Sequence, residues 1–327
     1  MLEVFCEKII KGIITKIESK DYYLLPEESD KIIRCTIRGK LKKEFNLKKD
    51  KLYITDFASV GDFADYDLNK DGTGVINSIE ERRNYISRKA PRIKGASYRG
   101  ERLEQVIAAN IDKVFIITSV NEPAFNNKTL DRFLVSAESS NLEAIIVINK
   151  IDLAVDDTSQ QWQKLYNDIG YNLLLTSVVS DINIDKIKSQ LRGNKSLFWG
   201  QSGVGKSSIL NKMFPGLNLK IGDISQYTSK GTHTTVTSRM IPLDNNTFII
   251  DTPGIREIDP YGIQKEDLPH YFIEFEEFAD QCKFNTCTHH HEPGCEVIAA
   301  EEKGLVSPGR YDSYLRILET IEDDLNF

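Results

Sequence analysis

Residues 200 to 207 read Gly-Gln-Ser-Gly-Val-Gly-Lys-Ser, with an apolar run before them and a helix-like run after them. This is G-x-x-x-x-G-K-[ST], a loop whose glycines let consecutive backbone N–H groups close around phosphate oxygens. The helix start that follows adds positive potential. In this reading Gly200, Gln201, Ser202, Gly203, Val204 and Gly205 wrap the phosphates, with Ser208 behind them. Lys206 reaches the β- and γ-phosphates, and the Ser207 hydroxyl ligates Mg²⁺.

The base is read elsewhere. Asn149-Lys150-Ile151-Asp152 closes the apolar stretch 143–149. Guanine offers an N1–H and an exocyclic amine on one edge, and a carboxylate accepts from both. Asp152 is the residue for that contact; Asn149 and Lys150 brace the loop and pack on the base. Thr176-Ser177-Val178 closes the next apolar stretch and supplies a backbone N–H to the guanine oxygen. Asp251-Thr252-Pro253-Gly254 follows another. There Asp251 holds Mg²⁺ through water, and the Gly254 N–H senses the γ-phosphate. Between them, "YTSKGTHTTVTSR" carries Thr234 and Thr235, either of which completes the Mg²⁺ shell. The guanine-reading segments thus precede the phosphate-reading ones, as in a circularly permuted GTPase domain.

A second constellation is Cys282-x4-Cys287-x-His289-x5-Cys295. Three thiolates and an imidazole suit one tetrahedral, structural Zn²⁺. The spacing favours His289; His290 and His291 are expected to be exposed or to back the ligands. A small acidic module with little core of its own would fold around the metal.

Elements must position these groups. Strand-like stretches at 112–120, 143–149, 171–177, 196–200 and 246–254 alternate with helical ones at 128–140, 158–169, 183–192 and 206–214. That alternation implies a mostly parallel sheet covered on both faces. Upstream, "KGIITKIESKDYYLL", "KIIRCTIRG", "KLYITDF" and "TGVINSIEERRNYISR" read as short strands, which suit a small barrel of OB type. Downstream, 265–282 and 310–325 read as amphipathic helices. The expected architecture is an α/β P-loop GTPase domain over 98–258, between an all-β OB-type barrel over 1–97 and a helical zinc-binding domain over 259–327.

The net charge is −7, yet Lys and Arg crowd the stretch from Lys31 to Lys51 and recur from Arg82 to Arg102. Whole-chain charge averages away this basic N-terminal third, which suits RNA. No apolar run approaches the roughly 20 residues of a membrane helix, and the N-terminus lacks a signal-peptide layout. Five cysteines are an odd count for a disulfide framework. A cytoplasmic monomer without membrane contact is expected.

The chain resembles a known family, the circularly permuted small ribosomal subunit biogenesis GTPases, RsgA (YjeQ). The likeness includes "RGK" at 38–40, "VGD" at 60–62, "QVIAANIDKVFIITS" at 105–119, "NKIDL" at 149–153, "GQSGVGKSSILN" at 200–211, "GTHTT" at 231–235, "DTPGI" at 251–255 and "CKFNTCTHHHEPGCEV" at 282–297. The resemblance implies a GTPase that helps late maturation of the 30S subunit, with turnover stimulated by that subunit and contacts to 16S rRNA. It also implies an OB fold at the N-terminus and zinc at the C-terminus. Many GTPases orient the attacking water with a Gln after D-x-x-G; here Ile255 and Arg256 follow Gly254. His233 is the candidate substitute, a role the resemblance also implies; the other reading is a loop His that packs or touches RNA. A different class of protein, an RNA-binding scaffold that holds nucleotide with negligible hydrolysis, is favoured by the missing Gln and opposed by the intact Lys206, Ser207 and Asp251.

Overall fold

The computed structural model describes residues 10–41, 43, 57–89, 104–217, 219, 238–244, 246–252 and 262–321. The chain forms two compact units. One comprises 1–111, 193–197 and 227–254; the other comprises 112–192, 198–226 and 255–327.

The first unit opens with β1 (Ile10–Glu18), β2 (Asp21–Pro26), β3 (Ile33–Ile37), β4 (Phe63–Leu68) and β5 (Gly74–Ile79). Their order is β1-β2-β3-β5-β4, and β4 pairs back onto β1, closing a five-stranded barrel of OB type. Ile14, Leu24, Cys35, Ala64, Tyr66 and Ile76 fill it, and burial pushes the Cys35 thiol up to about 12. The strand "FADYDL" carries two aspartates and no strong β signal, yet Ala64 and Tyr66 point inward at period two. The anticipated strand at 51–57 lies outside the described residues except for Phe57.

β6 (Tyr85–Lys89) leaves the barrel and pairs with β7 (Glu104–Ala109) in a separate ribbon. Its "NYISR" was expected among the barrel strands; no barrel strand pairs with it in the described residues. A clasp joins ribbon to barrel. Arg82 donates through Nε and Nη2, each at 2.8 Å, to the two oxygens of the fully buried Asp62. The Asn110 amide donates to the Gly61 carbonyl at 3.0 Å. Arg82 and Arg83, which sequence places in a basic cluster, are therefore structural: Arg83 Nη2 donates to the Ile111 carbonyl.

The second unit holds β8 (Lys113–Ser119), α1 (Asn127–Ser139), β9 (Glu143–Asn149), α2 (Thr158–Ile169), β10 (Asn172–Leu175) and α3 (Ile184–Leu191). β11 (Lys195–Trp199) leads into α4 (Lys206–Met213). α1 forms because Asn126 caps it, accepting from the Lys128 and Thr129 amides, and because Leu130, Phe133, Leu134 and Ala137 make one buried stripe. β8, β9 and β10 pair in parallel. In the first unit β12 (Arg239–Pro242) and β13 (Phe248–Asp251) are antiparallel, while the start of β11 pairs with β13 in parallel.

The C-terminal part of the second unit differs from expectation. The stretch 265–282 is not one helix but two 3-10 turns, Leu268–Tyr271 and Ile273–Phe275, and the short α5 (Glu276–Ala279). Pro269 starts the first turn, and Phe272 leaves helical geometry at ψ 87°. Its ring thereby meets Tyr314 edge-on at 5.2 Å while Phe275 meets the same ring at 5.0 Å. With α6 (Glu296–Glu302) and α7 (Pro308–Thr320) these residues build an aromatic core, so the module does not depend on a metal alone.

α7 docks on α1 through a buried cation. Arg310 is fully buried; Nη1 donates to Asp131 at 2.6 Å, and Nε and Nη2 donate to Glu274 at 2.6 and 2.9 Å. Its guanidinium lies 4.4 Å from the Phe272 ring centre. Arg310→Ala would strand the fully buried Asp131 and the largely enclosed Glu274; urea unfolding is expected to show a loss of about 3–5 kcal/mol in the second unit.

Candidate nucleotide and metal sites

In β8, β9 and β10 the register sets Ser119 beside Asn149 and Leu175 beside Ile148. Their C-terminal ends therefore line up where α/β sheets take ligands. After Asn149 the chain turns sharply through Lys150, at φ 60°. The Ile151 amide donates to the Thr176 carbonyl at 3.1 Å, tying this turn to the next strand end. The Ser177 hydroxyl donates to Asp152 at 2.5 Å and accepts from the Ser180 amide at 3.0 Å. One Asp152 oxygen is thus aimed, while the carboxylate stays exposed. Val178 follows at the same edge.

The phosphate-loop sequence leaves β11 at Gly200. Its φ is +145°, and a β-carbon there would stand 2.0 Å from the Ile117 carbonyl oxygen. Gly205 has φ +99° and would place a β-carbon 2.3 Å from the Asn149 amide nitrogen. Both positions demand glycine. The buried Asn149 carboxamide donates to the Val204 carbonyl at 2.9 Å and accepts from the Thr176 hydroxyl at 3.3 Å. It joins the 200–207 loop to both base-side loops. Lys206 curls over the loop, its ammonium donating to the Gly200 and Gln201 carbonyls, each at 2.7 Å. Ser207 is buried in the first turn of α4, whereas Ser202 and Gly203 are exposed. Ser208 is half-buried.

Asp251 ends β13 in the first unit, 1 % exposed, and accepts from Arg239 Nε at 3.3 Å. Thr252 beside it is buried. His233, Thr234, Thr235 and Gly254 lie outside the described residues. Sequence reasoning passed over the segment after β8, where the Lys150 ammonium donates to the Glu122 carbonyl and the Ser119 hydroxyl to the Pro123 carbonyl at 2.7 Å. Its signal, Asn-Glu-Pro directly after a strand end, was available.

In the C-terminal module, Cys282, Cys287, His289 and Cys295 bring one donor atom each within 4.8 Å of all the others. A tetrahedral ion bound at about 2.3 Å to sulfur and 2.0–2.1 Å to nitrogen needs S···S edges of about 3.8 Å and S···N edges of about 3.5 Å. The Cys282–Cys295 sulfurs are 3.9 Å apart, and His289 Nδ1 lies 3.6 and 3.3 Å from those same sulfurs. The donors fit a metal. Burial holds the His289 imidazole below its ordinary value, favouring the neutral ring that ligates, and pushes the Cys287 thiol up to about 12. A cation is what makes buried thiolates tolerable. The loop is held from outside: the Tyr311 hydroxyl donates to the His289 carbonyl at 2.8 Å, and Glu292 accepts from the Thr288 amide and hydroxyl. His290 and His291 are exposed.

A G-x-x-x-x-G-K-S loop clamped to an N-K-x-D turn that precedes it in the chain defines a P-loop GTPase of permuted order. The sequence profile described as RsgA GTPase matches residues 79–261. A small ribosomal subunit biogenesis GTPase RsgA from Phocaeicola vulgatus is 38 % identical over 317 residues, covering 96 % of this chain and 98 % of its own. The crystal structure of YjeQ from Thermotoga maritima superposes with a TM-score of 0.75 at 31 % identity, covering 95 % of this chain and 97 % of its own. That of YloQ, described as a circularly permuted GTPase, gives 0.71 at 29 % identity, covering 96 % of each chain. The chain belongs to the RsgA GTPase family.

Gly205→Ala forces a side chain into the Asn149 amide and a strained φ. Fluorescence titration is expected to show guanine-nucleotide affinity falling about 5- to 150-fold, the equivalent of about 1–3 kcal/mol. Stripping metal with a chelator is expected to make Cys282, Cys287 and Cys295 reactive to a thiol reagent while α7 keeps its helical signal. Equal thiol reactivity before and after chelation would count against a metal there.

Proposed function

We propose that this GTPase is an assembly factor of the small ribosomal subunit, coupling GTP hydrolysis to late maturation or release. The observation that carries the reading is the Asn149 clamp, which holds the Gly200–Ser207 loop and the Asp152 and Ser177 turns in one body. In it the loop amides and Lys206 hold the phosphates, Asp152 reads the guanine edge, and the Val178 amide meets the guanine oxygen. The motif spacing assigns Mg²⁺ to Ser207, to Thr234 or Thr235, and through water to Asp251. Mg²⁺ supplies charge neutralisation to the phosphates when bound. His233 is the residue proposed to orient the attacking water, and Gly254 the one that senses the γ-phosphate. The Cys282, Cys287, His289, Cys295 set holds one structural Zn²⁺.

Three working modules follow: a barrel over 1–97 and a zinc module over 259–327 that meet 16S rRNA and the 30S particle, and a GTPase module over 98–258. Support comes from the closed barrel, the aromatic core around Tyr314 and the relatives' names. Among the described residues no helix is long and apolar enough to cross a membrane.

The test is GTP turnover with and without purified small subunits. A several-fold rise is expected on adding them; an unchanged rate overturns the assembly reading. Asp152→Asn exchanges a charged acceptor for an amide. GTP affinity is expected to fall about 10- to 150-fold, the worth of hydrogen bonds to a charged group, while xanthosine triphosphate, which carries a carbonyl in place of the amine, gains.

A further inference from the structure

The segment after β8, Val120–Asn126, belongs to none of the nucleotide-binding motifs, yet it touches both ends of the second unit. At one end it faces the phosphate loop: a β-carbon built on Gly203 would meet the Pro123 ring at 3.6 Å and the Glu122 carbonyl oxygen at 3.9 Å. The same Glu122 carbonyl accepts from the Lys150 ammonium. The segment is closed on itself, with the Phe125 amide donating to the Val120 carbonyl at 3.2 Å and the buried Ser119 hydroxyl to the Pro123 carbonyl at 2.7 Å. The Val120 amide donates to the Asn149 carbonyl at 3.0 Å.

At its other end it runs into α1 and α7. The Phe125 ring lies 5.2 Å from Trp162, whose indole stands 3.4 Å from the β-carbon position of Gly309. The Asn127 amide donates to the Gly309 carbonyl at 2.9 Å and to the Ser313 hydroxyl at 3.0 Å. Beyond it the two helices are joined again by Lys128–Asp312 at 2.7 Å and Arg310–Asp131 at 2.6 Å. α7 therefore cannot shift against α1 without breaking bonds at Asn127, and α1 begins where this segment ends.

We propose that Val120–Asn126 is a positioning element of the nucleotide site, setting Lys150 and the Gly203 edge of the phosphate loop. Through Asn127 it also transmits nucleotide occupancy to α7. The inference rests on the nucleotide reading of the 200–207 loop. A packed segment with hydrogen bonds at both ends has few arrangements, so a displacement at Lys150 or Gly203 is felt at Gly309 and Ser313. The coupling is reciprocal: whatever holds α7 also biases nucleotide affinity.

Hydrogen exchange on the full chain, read with GDP, with a non-hydrolysable GTP analogue and without nucleotide, tests this. In the wild type, nucleotide is expected to protect 200–207 and to slow exchange in Pro308–Thr320 about fivefold or more. Asn127→Ala is expected to keep the first effect and lose the second. Ser313→Ala, a milder change, is expected to halve the second effect, and it serves if Asn127→Ala does not fold. Protection at 200–207 with no response in Pro308–Thr320 overturns the inference alone, as does a full response surviving in a folded variant. Absence of protection at 200–207 sinks the nucleotide reading and this inference with it.

Discussion

The Asn149 carboxamide is the interaction that ties the Gly200–Ser207 loop to the neighbouring strand ends. It is 2 % exposed, donates to the phosphate-loop carbonyl of Val204 and accepts from Thr176. A buried amide left without partners costs about 1–3 kcal/mol, so the loops it joins are held at one spacing. Gly205 completes the fit, since no side chain can stand where the Asn149 nitrogen lies. One side chain therefore bridges the 200–207 loop to the strand ends at 149 and 176. Chain order does not enter: hydrogen bonds join strand ends whichever strand comes first.

A second constraint holds the C-terminal module. Arg310, walled by Asp131, Glu274 and the Phe272 ring, fixes how α7 meets α1. A buried ion pair is weak evidence of net stability, but breaking one side leaves an uncompensated charge. Its value here is geometric: few other placements of α7 would let Nε, Nη1 and Nη2 meet Glu274 and Asp131 at once. The Cys3His loop sits on this anchored core, its four donors gathered where a metal would fit.

Much of the second unit was legible from pattern. β9, α2 and α4 begin where the apolar pattern puts them, and the expected strand ends carry the expected motifs. Those segments are read locally: a helix stripe or a glycine spacing is complete within a dozen residues. The misses share a cause. β4 has two aspartates and weak β propensity, and it is a strand because the barrel closes on it. Arg82 looked like part of an RNA-facing cluster, but its partner Asp62 lies twenty residues away across a barrel edge. The stretch 265–282 has helical periodicity, yet the aromatic core around Tyr314 bends it.

By itself, then, the sequence carried the expected chemistry: residue types able to cradle phosphate, accept from guanine or ligate a soft metal. Those abilities reside in side-chain types at short spacings, and they survive any rearrangement of the chain. Only the tertiary structure decided that Asn149 is the clamp, that Arg82 is a clasp, and that Val120–Asn126 spans the 200–207 loop and α7. Each of these depends on a partner brought near by folding from a distant stretch, and no local pattern encodes that partner's position.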